Sequence, residues 1–259
     1  MIVLKHRNEL VLFEQHYHGL ASGVMAHKWK DKNFLAPHLR EEVEYAVSFH
    51  DRGWMPLDQK PLWDQANHQP YSFYNYPMRE KMERYHEGVD EVEKKSFYGA
   101  LLCSMHYCSF FDEKSDDEDS EVFLTKEHTR QEKLKKILGG KVTENSIGFH
   151  FTLLQFCDDL SLYCCMNEPG SSKEEEVSWF KNGFRQQFPE APNGIMPRFE
   201  NKECVSLDPF PFTEPFELMI PYKTVRMEKV EAIGLEDARR EAPLQQRKVK
   251  IVPFRNTES

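Results

Sequence analysis

Two segments of this 259-residue chain are apolar almost all the way round, and they dictate what must surround them. SFYGALLCSMHYCSFF at 96–111 and SIGFHFTLLQFCDDLSLYCC at 146–165 are long enough for several helical turns yet have almost no polar face. A helix hydrophobic on every side has to be enclosed by other elements. No run reaches the roughly 18 uninterrupted apolar residues of a membrane span, so the enclosure is expected to be protein. Each segment nevertheless carries an ionisable group on its buried stripe. His106 lies among Leu102, Cys103 and Phe110, and Asp158 lies among Phe151, Leu154, Leu162 and Cys165, all at helical spacing.

The remaining pattern supplies the enclosure. MIVLKHRNELVLFEQ alternates on either side of Arg7-Asn8 and predicts a β-hairpin. Helices are predicted over 16–29 despite two glycines, over 35–51 with Pro37 near the first turn, over 78–92 and over 95–111. A further exposed amphipathic helix, TKEHTRQEKLKKILGG, stops at Gly139-Gly140, and Asn145 is a plausible cap for the helix over 145–165. The acidic run at 112–121 reads as a solvated linker. Residues 53–77 read as a long Pro-, Gln- and Asn-rich loop of the kind that often serves function. FELMIPY, RMEKVEAIG and KVKIVPF near the C-terminus read as strands. The expected fold is mainly α: one domain over 1–259, with a helical core at about 16–185. Small β-rich segments, 1–15 and 186–259, are expected to pack on it as an attached sheet.

Composition narrows the function classes. A net charge of -9 argues against nucleic acid polymer or an anionic membrane as partner, while leaving room for a local basic pocket and a small phosphorylated substrate. The six cysteines show no paired C-x-x-C spacing and most lie in apolar helices, which fits reduced thiols packed as small hydrophobes in a cytoplasmic protein. The N-terminal segment shows no secretory pattern.

His106 and Asp158 have company. His18 shares the buried side of the first helix, and Val43, Ala46, Val47 and His50 recur at i, i+3, i+4 and i+7 on the second, with Asp51 next. A carboxylate stranded in a core costs several kcal/mol unless paired, protonated or bound to a cation, and few Lys or Arg candidates share these faces. One or two divalent or trivalent ions held by His18, His50, Asp51, His106 and Asp158 would satisfy all five groups, and mixed imidazole and carboxylate donors suit Fe, Mn or Zn. Taken singly, a histidine on an apolar face is more often a hydrogen-bonded core residue. The coincidence on four helices is what favours a metal. His16, His27 and His150 have no stripe leading to the same place. His68 and His86 are weaker candidates for a further ligand. Trp54, Trp63, Tyr71 and Phe73 either line a pocket mouth or cover the core edge.

The order His, His-Asp, His, Asp on successive helices resembles the HD-domain superfamily of metal-dependent phosphohydrolases. Q-x-x-H from Gln15 to His18, HDRGW from His50 to Trp54, LLCSMH ending at His106 and LQFCDDLSL around Asp158 resemble, more closely, DUF3891, a bacterial family of uncharacterised proteins. The resemblance implies an HD-domain-like helical bundle with His18, His50, Asp51 and Asp158 as the basic ligands. It implies for His106 the extra histidine of members with a second metal. The expected function is hydrolysis of a small phosphorylated or nucleotide substrate. Asp51 would serve as ligand and proton acceptor, with Arg52, and then Lys60, as the nearest cations for phosphate. A di-iron oxygenase and a non-catalytic binding or regulatory module are the alternatives.

Overall fold

The computed structural model describes residues 1–111 and 117–255. A hairpin, β1 (Ile2–His6) and β2 (Glu9–Phe13), leads into α1 (Gln15–Lys28) and α2 (Arg40–Phe49). A 3-10 turn, Arg52–Trp54, runs into α3 (Met55–Gln59) and a small ribbon, β3 (Trp63–Asp64) with β4 (Gln69–Pro70). Helices α4 (Met78–Glu93), α5 (Phe97–Cys108), α6 (Glu118–Leu138) and α7 (Glu144–Met166) follow. After turns and coil come β5 (Met196–Asn201), β6 (Cys204–Asp208), β7 (Phe216–Arg226), α8 (Met227–Ile233), α9 (Leu235–Glu241) and β8 (Leu244–Pro253).

The mainly-α, HD-domain-like bundle expected from the sequence is corrected here. The chain is 51% helical and 20% strand, an α/β fold built on a curled, half-barrel sheet of six strands. Their order, β1-β2-β7-β8-β6-β5, is antiparallel throughout except for the parallel β6–β8 pair. Glu9–Leu12 pair with Lys223–Arg226, more than 200 residues away, so the two β-rich ends do share one sheet, but it is a six-stranded layer of the fold and not a small attachment. The run of helices from α1 to α7 ends at Met166, not near 185, and two short helices, α8 and α9, return between β7 and β8.

Both faces of the sheet's hairpin half are buried. Ile2, Val11 and Phe13 enter the main core with the helices, while Val3, Leu10 and Leu12 enter a second core closed by Val230, Leu235 and Ala238 of α8 and α9. This is why the hairpin strands are apolar on alternate residues of both phases. RMEKVEAIG, expected as a strand, is α8, and Met227, Val230 and Ile233 show its three-residue spacing. Helix α7 begins at Glu144 with Thr143, not Asn145, as cap: the Thr143 hydroxyl accepts from Ser146 N and the Ser146 hydroxyl from Thr143 N. Of the acidic run, 112–116 lies outside the described residues, Asp117 caps α6, and 118–121 form its first turn, where carboxylates favour the helix dipole.

Close approaches of backbone set the angles between the ligand-bearing elements. A Cβ on Gly23 of α1 would meet Ser48 Oγ of α2 at 2.0 Å, so the glycines that look adverse to α1 let α2 lie against it. The turn at Arg52–Trp54 rests directly on α4, where a Cβ on Gly88 would come within 2.5 Å of Gly53 N.

His150, which the sequence left outside the cluster, has a structural place. Tyr98 OH donates to its Nδ1 at 2.6 Å and its Nε2 donates to Leu35 O at 2.8 Å, so the ring is held neutral. Burial lowers its pKa to about 4, below the unfolded value of 6.5. The folded state therefore binds fewer protons, and its stability is complete above pH 6.5 and lost as pH falls toward 4. About 3 kcal/mol is expected to disappear across that window at 1.36 kcal/mol per unit. Urea unfolding at several pH values should show a smaller acid loss in His150→Gln than in wild type.

Candidate metal centre

Four helical elements deliver six polar side chains to one buried point. The first two turns of α1 supply Gln15 and His18. His50 ends α2 on the face of Val43, Ala46 and Val47, and Asp51 follows before the chain turns. His106 comes from α5 and Asp158 from α7. All are enclosed: His18 and His50 are fully buried, and Asp158, the most accessible, is 7% exposed. His18 Nε2 lies 2.9 Å from Asp51 Oδ2 and 3.8 Å from Asp158 Oδ1. His50 Nε2 is 3.3 Å from Asp158 Oδ1, and His106 Nε2 is 3.6 Å from Asp158 Oδ2.

Proton accounting shows why protein alone leaves this cluster incomplete. His50 Nδ1 donates to Val47 O at 2.7 Å, which leaves Nε2 to carry the lone pair, and that atom has no hydrogen-bond partner. The Ser161 hydroxyl donates to His18 O at 2.9 Å, so the 3.2 Å contact from His18 Nδ1 is a donation to Ser161 Oγ. His18 Nε2 then presents a lone pair to a carboxylate. Gln15 Nε2 donates to the same Asp51 oxygen at 2.9 Å and fixes its direction. Imidazole nitrogens and carboxylate oxygens that face one another in this way need a proton between them, and a metal cation can take that proton's place.

Two donor sets fit one: His18, His50 and Asp51, and His50, His106 and Asp158, with ligand atoms in each within 4.8 Å of one another. These buried groups can hold a metal ion. In its absence burial works against a charged His50, but Asp51 and Asp158 outweigh it and raise the ring to about 9. Burial also opposes ionisation of Asp158, yet the surrounding imidazoles hold it below the usual carboxylate range. Burial pushes His106 down to about 4. An ion taking the His50 lone pair therefore displaces a proton.

Gln15, Asp51, His106 and Asp158 line a cavity of about 460 Å³, while His18 and His50 are fully buried and do not reach it. Trp54, Tyr85 and Phe110 wall it, and Phe73, Tyr74 and Trp179 stand at its mouth. Of the aromatics named from sequence, Trp54 and Phe73 line it. Trp63 packs on the second core and Tyr71 against the main one. Asp158, not Asp159, joins the donors. Asp159 lines the cavity, accepts from Gln186 Nε2 at 2.7 Å, and is raised to about 6 by burial and then by the charge of Asp158.

Arg52, expected at the phosphate, is corrected. Its Nε pairs with Glu91 at 2.6 Å in a separate cleft, because the turn over Gly88 carries it to the far side, and Lys60 is solvent-exposed. Among the described residues the cations that line the cavity are Lys81 and Arg185. Lys81 had a sequence signal, since Lys81, Tyr85, Gly88 and Val92 form a buried stripe of α4. Arg185 follows α7 in coil and had none. His86 bonds Glu127 at 2.5 Å and Arg130, and His68 is exposed, so neither reaches the donors. The six cysteines are free, and burial raises the thiols of Cys103, Cys157, Cys164 and Cys165, as suits inert packing.

A family model described as "Protein of unknown function (DUF3891)" matches residues 1–227, which includes all five donors and every strand but β8. No curated protein and no solved structure matches the chain. Among the described residues no helix is long and apolar enough to cross a membrane.

Proposed function

The chain belongs to the DUF3891 family, whose description carries no activity, and from the site itself we propose a metal-dependent hydrolase of phosphate esters on small molecules. One observation carries the reading: five buried imidazole and carboxylate donors, one of them an unpartnered His50 Nε2, cluster together, and three of them line a cavity that also holds two cations. Iron, manganese or zinc, as one ion or two, suits this donor set. Bound there, such an ion supplies a water of lowered pKa and neutralises charge building on phosphoryl oxygens. His18 and Gln15 orient Asp51, which is placed at the cavity floor to take a proton. Lys81 and Arg185 receive the anion, and the aromatic walls exclude bulk water. The likeness to HD-domain phosphohydrolases enters as a likeness of donor order along the chain, not of fold.

A panel of phosphate monoesters and diesters assayed with Mn²⁺ tests the proposal. Asp51→Ala is expected to lose roughly 100-fold or more in rate, as loss of a ligand exceeds the 10–100-fold typical of an orienting residue. Equal rates in both proteins remove the hydrolase and leave the binding-module alternative. The second donor set, with His106, favours one further reading, oxygen activation at paired irons. Two irons per chain with an oxo-bridge absorption would select it.

A further inference from the structure

The mouth of the cavity and its one enclosed lysine point to the shape of the ligand. Tyr74 is 51% exposed and Trp179 53%, unusual exposure for rings this large. With Phe73 they form a trio from two separate segments: Phe73–Tyr74 at 5.5 Å, Phe73–Trp179 at 6.2 Å and Tyr74–Trp179 at 6.1 Å, each pair nearly perpendicular. An edge-to-face contact takes up one flat side of one ring of the pair, and about half of Tyr74 and of Trp179 stays open beside the cavity.

Lys81 is 8% exposed, and its ammonium meets only the Phe73 carbonyl, at 3.5 Å. No carboxylate pairs with it among the described residues. Burial lowers its pKa, the mark of a cation short of solvation. A buried ammonium facing a cavity is satisfied by an anion that enters the cavity. Phe73 ties the two features together, since its carbonyl touches Lys81 while its ring belongs to the trio. A ligand using both has its charge and its flat group only a few bonds apart.

We propose that the cavity takes a small phosphate ester carrying a flat aromatic or heteroaromatic ring, with the phosphate against Lys81 above the donor cluster and the ring on Trp179 and Tyr74. The identity of the anion rests on the hydrolase reading; the ring does not. Base-on-aromatic stacking is worth about 1–3 kcal/mol, so removing a platform is expected to weaken binding roughly 5- to 150-fold.

Isothermal titration of the full chain as purified, with adenosine 5′-monophosphate, ribose 5-phosphate and adenosine as probes, tests it. The nucleotide is expected to bind at least about tenfold more tightly than either fragment. Trp179→Ala is expected to weaken the nucleotide and adenosine while sparing ribose 5-phosphate, and Lys81→Gln to weaken both phosphates while sparing adenosine. Equal affinity for nucleotide and ribose 5-phosphate, a Trp179→Ala loss shared by ribose 5-phosphate, or no binding of any probe would overturn the proposal. A protein that shows the expected binding pattern but turns over no ester sinks the hydrolase and leaves the ring preference standing. One that hydrolyses alkyl phosphates while binding nucleotide and ribose 5-phosphate alike does the reverse.

Discussion

His50→Ala is expected to empty the centre of metal and to cost about 3–5 kcal/mol of stability, the usual penalty for removing one partner from a buried charge cluster. His50 is the residue common to both donor sets, so a single truncation dismantles each of them. In the metal-free protein its ring, raised to about 9, also stands between Asp51 and Asp158 as a positive charge. Without it two enclosed carboxylates face each other with less compensation. Adding Asp158→Asn to His50→Ala is therefore expected to recover part of the lost stability while leaving metal absent. Urea unfolding of the three proteins, with metal content measured alongside, checks both halves. A stable His50→Ala protein with unchanged metal content would count heavily against the assignment.

Gly88→Ala is expected to be strongly destabilising for the addition of a single methyl. The added Cβ would lie 2.5 Å from Gly53 N and 2.7 Å from Gly53 Cα, backbone on both counts, so neither rotamer change nor side-chain retreat relieves it. Helix α4 would have to move off the turn that follows His50 and Asp51. Overpacking of this kind costs about 1–3 kcal/mol and sometimes more. The displacement would also carry Asp51 away from His18, so weaker cation binding should accompany the loss. Gly148 in α7 is the control: nothing lies within 4 Å of its Cβ position, and Gly148→Ala is expected to be neutral or stabilising by up to about 1 kcal/mol. Parallel destabilisation of the two variants would contradict the close-approach account.

The candidate site was more legible in the sequence than the fold around it. Helical spacing alone places His50 with Val43, Ala46 and Val47, and Asp158 with Leu154 and Leu162, because a buried helix advertises its face through local periodicity. Lys81 obeyed the same rule and was overlooked, since α4 carries enough charge to read as a surface helix. Arg52 was assigned by adjacency to Asp51, and adjacency misleads at a tight turn, where neighbouring side chains diverge.

The extent of the sheet was missed for a different reason. Strand pairing between Glu9–Leu12 and Lys223–Arg226 leaves no periodic trace in either segment. Proline also disguised β5, though not β7, whose FELMIPY read as a strand. Pro197 lies in the edge strand β5, and Pro221 lies in β7 beyond the reach of β2, which pairs only with Lys223–Arg226, so neither amide was needed on its open side. In β8 the exposed residues Lys248 and Lys250 alternate with Val249 and Ile251, enough to show a strand but not its partners.

Elemental analysis of the purified full chain, repeated after reloading with iron, manganese and zinc in turn, tests the central claim most directly. The account expects about one bound ion per chain or more in wild type, and essentially none in His50→Ala under the same washing. Wild-type protein that retains none of the three metals would contradict it.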